Sequence, residues 1–345
     1  MAYRLKEFAE LHFMRALNAL ILLGCLAAIV AATLWVGVPM QTSGSIRAGV
    51  TFSSVYAQEL GINWRNALAA SLDDLGVRYF RIPVYWKVVQ PEENRFDWAT
   101  IDYQMDEIAM REGKVLLAIG AKLPRWPECW IPDWATYKGP AGERAARLAY
   151  MEQAVRRYKD HPALAAWQVE NEALFPFGLC PKPNRSFLKR EIEFVRSLDI
   201  AHPIVTTDSG ELSTWFSVAP LPDKLGFSVY RVVRTYGGFV WHYTFIPPYW
   251  YARRALYVSP FVSEIFVSEF QMEPWSDDSL TVTPLTEQFR TFDADQMRKN
   301  FDYAERMRIH EIYFWGVEWW WWMKTTQQDD RFWKTAKTFF ERHAP

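Results

Sequence analysis

Strand-like runs alternate with helix-like runs through most of this chain, and that alternation limits the possible folds more than any other feature. The strand-like runs are Ala48–Ser53, Val77–Pro83, Val115–Gly120, Ala165–Glu172, Pro203–Asp208, Leu225–Tyr230, Ile265–Glu269 and Glu311–Gly316. Helical patterns separate them at Asn63–Leu75, Thr100–Glu112, Gly142–Lys159, Arg185–Leu198, Tyr249–Tyr257 and Leu285–Arg308, and Asp329–Arg342 closes the chain. Only the stretch around Leu212–Val218 is poorly defined. Eight strands alternating with helices in about 300 residues predict an α/β fold, a (β/α)8 TIM barrel over residues 46–345. A doubly wound open sheet usually has fewer units and a phosphate-binding turn, and neither feature fits.

The chain before the barrel has a different character. Residues 1–15 are mixed in charge, with Arg4, Lys6 and Arg15 against Glu7 and Glu10. Ala16–Val38 then carries no charge at all. About 20 apolar residues suffice to span a bilayer as a helix. A cleaved signal peptide is the close rival, but its apolar region is usually shorter and no small-x-small site is visible. The expectation is a transmembrane anchor over 16–38 behind a cytoplasmic segment 1–15, with a polar linker at 39–45. Basic residues before the anchor put the barrel outside the cytoplasm, secretion after cleavage being the alternative.

In a parallel barrel the C-terminal ends of the strands converge on one pocket. Here those ends carry Arg81 on the second strand, Asn171 and Glu172 on the fourth, and Asp208 on the fifth. Tyr230 ends the sixth, Glu269 the seventh and Trp315 the eighth. Two glutamates at the tips of two strands are the minimum equipment for cleaving a glycosidic bond. Aromatic residues make up 17% of the chain, including 18 Trp, and sugar rings stack on aromatic faces. A net charge of −1 argues against a nucleic-acid surface. No Cys/His spacing resembles a zinc site, and no cofactor is expected. Cys129 and Cys180 follow the third and fourth strands, neighbours in a barrel, and are expected to form a disulfide outside the cytoplasm.

The residues at these tips resemble the clan A glycoside hydrolases, the cellulase-type retaining barrels, from about Ile46 to the C-terminus. Trp167-Gln-Val-Glu-Asn-Glu172 is similar to the acid/base motif, and Ser268-Glu269 to the nucleophile motif. Phe80-Arg-Ile-Pro83 carries the second-strand arginine, and Tyr230 and Trp315 have counterparts on the sixth and eighth strands. Glu92-Glu-Asn-Arg-Phe-Asp-Trp98 resembles the segment before the second helix in many members. One departure stands out. Many members have a histidine near the third-strand exit, where this chain reads Gly120-Ala-Lys-Leu-Pro-Arg-Trp-Pro-Glu128.

The resemblance implies a double displacement on a β-linked oligo- or polysaccharide. Glu172 is general acid and then general base, and Glu269 is the nucleophile, with the carboxyls about 5–5.5 Å apart. Arg81 and Tyr230 hold Glu269, Asn171 binds the sugar 2-hydroxyl, and Trp315 forms an apolar floor. Trp126 and Trp319 are further substrate-binding candidates. At least one tryptophan of Trp319-Trp-Trp-Trp322 is expected as a sugar platform, with core packing and a membrane interface as the competing readings. The aromatic segment Tyr236–Tyr251 contains His242, a structural or subsite residue in this reading. Strand alternation puts Glu170 on the same face as Glu172, as a deeper residue paired to an arginine. Glu273 reads as a loop or subsite residue, Glu264 as the weakest candidate, and Glu128 and Asp208 as lining the cleft. A transglycosidase would share the covalent intermediate. A barrel that only holds carbohydrate has no need of both glutamates.

Overall fold

The computed structural model describes residues 2–35, 46–234 and 238–344. The expected linker at 39–45 lies outside the described residues, as do 36–38 of the expected anchor. Eight parallel strands close into a barrel: β1 Arg47–Thr51, β2 Tyr79–Pro83, β3 Lys114–Ile119, β4 Leu164–Val169, β5 Ile204–Asp208, β6 Lys224–Val229, β7 Glu264–Gln271 and β8 Glu311–Trp315. Closure comes from β1, which pairs with β2 on one side and with β8 on the other. Neighbours around the ring follow chain order.

Side-chain alternation explains how the strands serve two cores. Leu116, Ala166, Val205, Phe266 and Tyr313 pack together as one small cluster, the plug of the barrel lumen. Their chain neighbours Val115, Leu117, Trp167, Ile204, Val267 and Phe314 belong to the large core between sheet and helices. Successive side chains on a strand point to opposite faces. Two residues beyond the plug, the period therefore returns Arg81, Gln168, Thr207 and Trp315 to the lumen side, one layer nearer the C-terminal mouth. The lumen is tight at this level. A Cβ on Gly226 would lie 2.9 Å from both Ser268 Cβ and Thr207 Cγ2, so β6 has no room for a side chain there.

Two of the boundaries that differ from the sequence reading have clear local causes. The fourth strand stops at Val169, and Glu170 and Glu172 both have positive φ, 59° and 42°. The single helix expected over Leu285–Arg308 is two helices, Leu285–Gln288 and Ala294–Arg306. The break has local causes. Asp293 caps the second helix by accepting from Gln296 N, and Thr291 Oγ1 accepts from Trp275 N at 3.1 Å.

The N-terminal helix runs from Ala2 to Trp35. Within it, Arg15–Thr33 has a mean hydropathy of 2.3 and none of it is buried. That length and composition suit a membrane span or a signal segment. Its last turn touches the barrel helix Tyr249–Val258. Arg253 Nη1 donates to the Thr33 carbonyl at 2.9 Å, and Thr33 Oγ1 lies 2.5 Å from the Tyr257 hydroxyl.

Candidate active site

Arg81 is the centre of the mouth. It is fully buried on β2, and each part of its guanidinium has a partner. Nε donates to Gln168 Oε1, Nη1 to Glu269 Oε1 and Nη2 to Asn171 Oδ1, each at 2.7 Å. One arginine therefore orients groups from β4 and β7 together, and the planar fork suits that task better than lysine's single point charge. Glu269 accepts a second bond from the Tyr230 hydroxyl at 2.9 Å. Burial and the Glu269 charge hold the Tyr230 phenol well above its usual range, so it remains a donor.

Glu172 lies just past β4 and is supported from two directions. Its backbone N donates to Thr207 Oγ1 at 2.8 Å, and Ser228 Oγ donates to its Oε1 at 2.6 Å. Ser228 reaches it because the β6–β7 register shifts between Phe227 and Ser228, setting Ser228 opposite Glu269. Lys122 Nζ pins the same loop by donating to the carbonyls of Glu172 and Phe175 at 3.0 and 2.7 Å. Burial first, and then the Glu269 charge, push the Glu172 carboxyl up to about 7. Asn171 Oδ1 accepts from Arg81 and, at 2.8 Å, from Thr207 Oγ1, which fixes the amide plane.

Glu170 is a correction in part. It does pair with an arginine, Arg147, at 3.2 Å. The route is not strand alternation, because the strand has ended. Its left-handed backbone turns the carboxylate to accept from Ala121 N and Lys122 N at 2.8 and 2.5 Å. Arg147 also binds Glu143 and Glu191, so Glu170 anchors the β3 and β4 loops to the helices outside. Asp208 is capped by Ser209 N at 2.9 Å and by Ser213. Glu264 starts β7 at the opposite end of the barrel and pairs with Lys224.

A buried charged group near the mouth carried no sequence signal. Arg125, from the loop after β3, binds Glu273 beyond β7, and its Nη2 lies 3.1 Å from Glu318 Oε2 beyond β8. Its guanidinium sits between Tyr56 and Trp315, 3.5 and 3.8 Å from the ring centroids. Trp315 Nε1 donates to Glu273 Oε1 at 2.7 Å. Glu318 also accepts from Ser53 N, and burial pushes its carboxyl up to about 7. Trp315 is thus at the mouth, with one face already covered by Arg125. Lys122, Thr207, Ser228, Arg125 and Glu318 were all missed. Their positions at or just past strand ends were the only clue available.

The aromatic candidates divide. Trp126 is 59% exposed and begins a row of ring contacts. Trp126 meets Phe177 at 6.3 Å, Phe177 meets Trp275 at 6.3 Å, and Trp275 meets Tyr230 edge-on at 5.2 Å. That row leads from the rim to the residue holding Glu269. Trp319 is overturned as a sugar platform. The tryptophan run lies in the helix Val317–Thr325, where Trp319 and Trp320 are fully buried and Trp322 nearly so. A helix fans adjacent side chains about 100° apart, so three of the four can enter the core. Trp319 packs edge-on against Phe332 at 4.5 Å and donates Nε1 to Gln288 Oε1 at 2.8 Å. Trp319→Ala is expected to cost about 3–5 kcal/mol in a urea titration while leaving sugar affinity unchanged. A loss of sugar binding at unchanged stability would contradict that placement.

Cys129 and Cys180 form the expected disulfide, with Cα atoms 5.2 Å apart, and so join the loops after β3 and β4. Among the described residues, no group of three or more His, Cys, Asp or Glu is placed to hold a metal ion.

With this geometry in view, the relatives are informative. A family model described as beta-galactosidase matches residues 63–202. The beta-galactosidase LacZ of Heyndrickxia coagulans is 32% identical over 115 residues, 28% of this chain and 17% of that protein. Among solved structures, the cold-adapted beta-galactosidase from Rahnella sp. R3 aligns with a TM-score of 0.56 at 12% identity, over 88% of this chain and 56% of that one. The GH5_18 protein of Bifidobacterium longum subsp. longum aligns with a TM-score of 0.55 at 14% identity, over 79% of this chain and 70% of that one. The fold is the barrel of these solved glycoside hydrolase structures. The match to the curated relative covers less than a fifth of that protein's length, and the family-model match includes β2, β3, β4 and the Asn171-Glu172 tip.

Proposed function

We propose that the chain is a retaining glycosidase acting on β-linked sugars, with Glu172 as acid/base and Glu269 as nucleophile. The observation that carries this reading is the contrast between two buried carboxyls at one mouth. Glu269 is ion-paired to Arg81 at 2.7 Å, whereas Glu172 pairs with no arginine among the described residues and is pushed up to about 7. Two titratable groups whose surroundings set them apart are how such sites divide acid from nucleophile. Protonated Glu172 gives its proton to the leaving oxygen as Glu269 attacks the anomeric carbon. Glu172 then takes a proton from the water that releases the sugar. The relatives named as beta-galactosidases make a β-galactoside the first substrate to try. The test is a panel of aryl β-glycosides with the full chain, following aryl alcohol release and the anomer formed by NMR. Retained configuration on at least one substrate supports the reading, and inversion overturns it.

We propose also that the N-terminal helix anchors the barrel at a membrane, outside the cytoplasm. Support comes from the exposed apolar stretch Arg15–Thr33 and the basic residues before it. The chain is expected in the membrane fraction, released by detergent and cleaved by protease added outside the cell. Recovery as soluble full-length protein counts against the anchor.

A further inference from the structure

Glu128 sits in the loop after β3. It is 9% exposed. Among the described residues, its Oε2 is the one buried carboxylate oxygen with no hydrogen-bond partner. The other buried glutamates nearby differ. Both oxygens of Glu170 are bonded, and so are both of Glu273 and both of Glu318. A buried polar atom left open costs free energy unless something else fills it.

The position is built, not incidental. Glu128 adopts a left-handed backbone, φ 71°, which a residue with a side chain rarely takes without support. Its N donates to Arg125 O and its O accepts from Leu123 N, both at 2.8 Å. The neighbouring Cys129 is tied to Cys180. Across that link, Gly178 lies so close that a Cβ there would be 2.4 Å from Glu128 Cβ. These restraints hold the carboxyl among the residues of the mouth, close enough to Asn171, Glu269 and Glu172 to feel them. The Lys122 ammonium already provides positive charge nearby. Burial first, and then the Glu269 charge, hold the Glu128 carboxyl well above the usual carboxylate range, so the missing partner is a neutral hydrogen-bonding group such as a hydroxyl, which can both donate and accept.

We propose that Glu128 is a substrate-binding carboxyl whose Oε2 hydrogen-bonds a hydroxyl of the sugar held between Glu172 and Glu269, so that it selects pyranosides carrying that hydroxyl. The assignment rests on the glycosidase reading. A site built to bond a hydroxyl rejects the analogue lacking it, because its own polar group is left unpaired.

The test pairs protein variants with substrate variants. An active aryl glycoside and its four monodeoxy analogues are assayed with wild type, Glu128→Gln and Glu128→Ala, and thermal unfolding is followed for each. The expected result is a fall of about 10- to 100-fold in kcat/KM for Glu128→Ala on the parent glycoside. On one deoxy analogue alone, wild type and Glu128→Ala should become equal, while the gap persists on the other three. Glu128→Gln, which keeps a donor and an acceptor at the same place, should recover part of the loss. If Glu128→Ala lowers all five substrates by one factor, or lowers none, the assignment is overturned while the glycosidase reading stands. If Glu128→Ala fails to fold, the same comparison with Glu128→Gln decides it. A wild type inert on every glycoside overturns the glycosidase reading, and this one with it.

Discussion

Glu269→Gly is expected to remove turnover of every glycoside, good leaving group or poor, with kcat/KM falling by about 10⁴-fold or more. No glycosyl-enzyme can form without the carboxylate. Added azide should occupy the vacated space, attack the same carbon and give the glycosyl azide of inverted configuration. The variant also strips Arg81 of its carboxylate partner in a site with no exposure. Leaving a buried charge uncompensated costs about 3–5 kcal/mol, softened here because Gln168 and Asn171 still bind the guanidinium. A melting curve and the isosteric Glu269→Gln separate lost chemistry from lost fold. Near-native activity in a folded Glu269→Gly protein, with loss in Glu273→Gly, would assign the nucleophile to the other carboxylate.

Glu172→Ala should behave differently, because its role depends on the leaving group. A nitrophenolate leaves without a proton, so the first step survives and the glycosyl-enzyme accumulates as a burst. With an alkyl or sugar leaving group the loss should be about 10²- to 10⁴-fold. Azide should accelerate the second step and give a product of retained configuration. The wild type carries a related signature. Glu172 must be protonated to act as the acid, and its carboxyl stands at about 7. The rate on a poor leaving group should therefore fall as pH rises through about 7, and Glu172→Ala should lack that limb. A limb that survives the substitution belongs to another group.

The barrel was legible because each strand is a short apolar run between helical patterns, a signal contained in the run itself. The catalytic candidates were legible for a related reason. Arg81, Asn171, Glu172, Tyr230 and Glu269 each lie near the C-terminal end of such a run or just past it. What failed was local geometry that residue type does not encode. Glu170 was put on the face of Glu172 by extending a strand three residues too far, past the left-handed turn that redirects it. Trp319 was placed at the rim because four adjacent tryptophans look too bulky for a loop, whereas a helix distributes them. Arg125 was silent because its partners lie 148 and 193 residues further on. No sequence window holds such a pair. Glu128 was noticed only as a carboxylate of the cleft; the open oxygen and the strained backbone needed coordinates.

The wide spacing of these ion pairs has a consequence for how the chain is made. Arg81 meets Glu269 across 188 residues of sequence. At a synthesis rate of about 5–20 residues per second, Arg81 leaves the ribosome roughly 10–40 s before its partner exists. Over that interval β1 also lacks β8, so the half-built sheet exposes an edge and two arginines destined for burial. A nascent chain in this state is a client for a holding chaperone, and the last third of translation converts it from client to closed barrel.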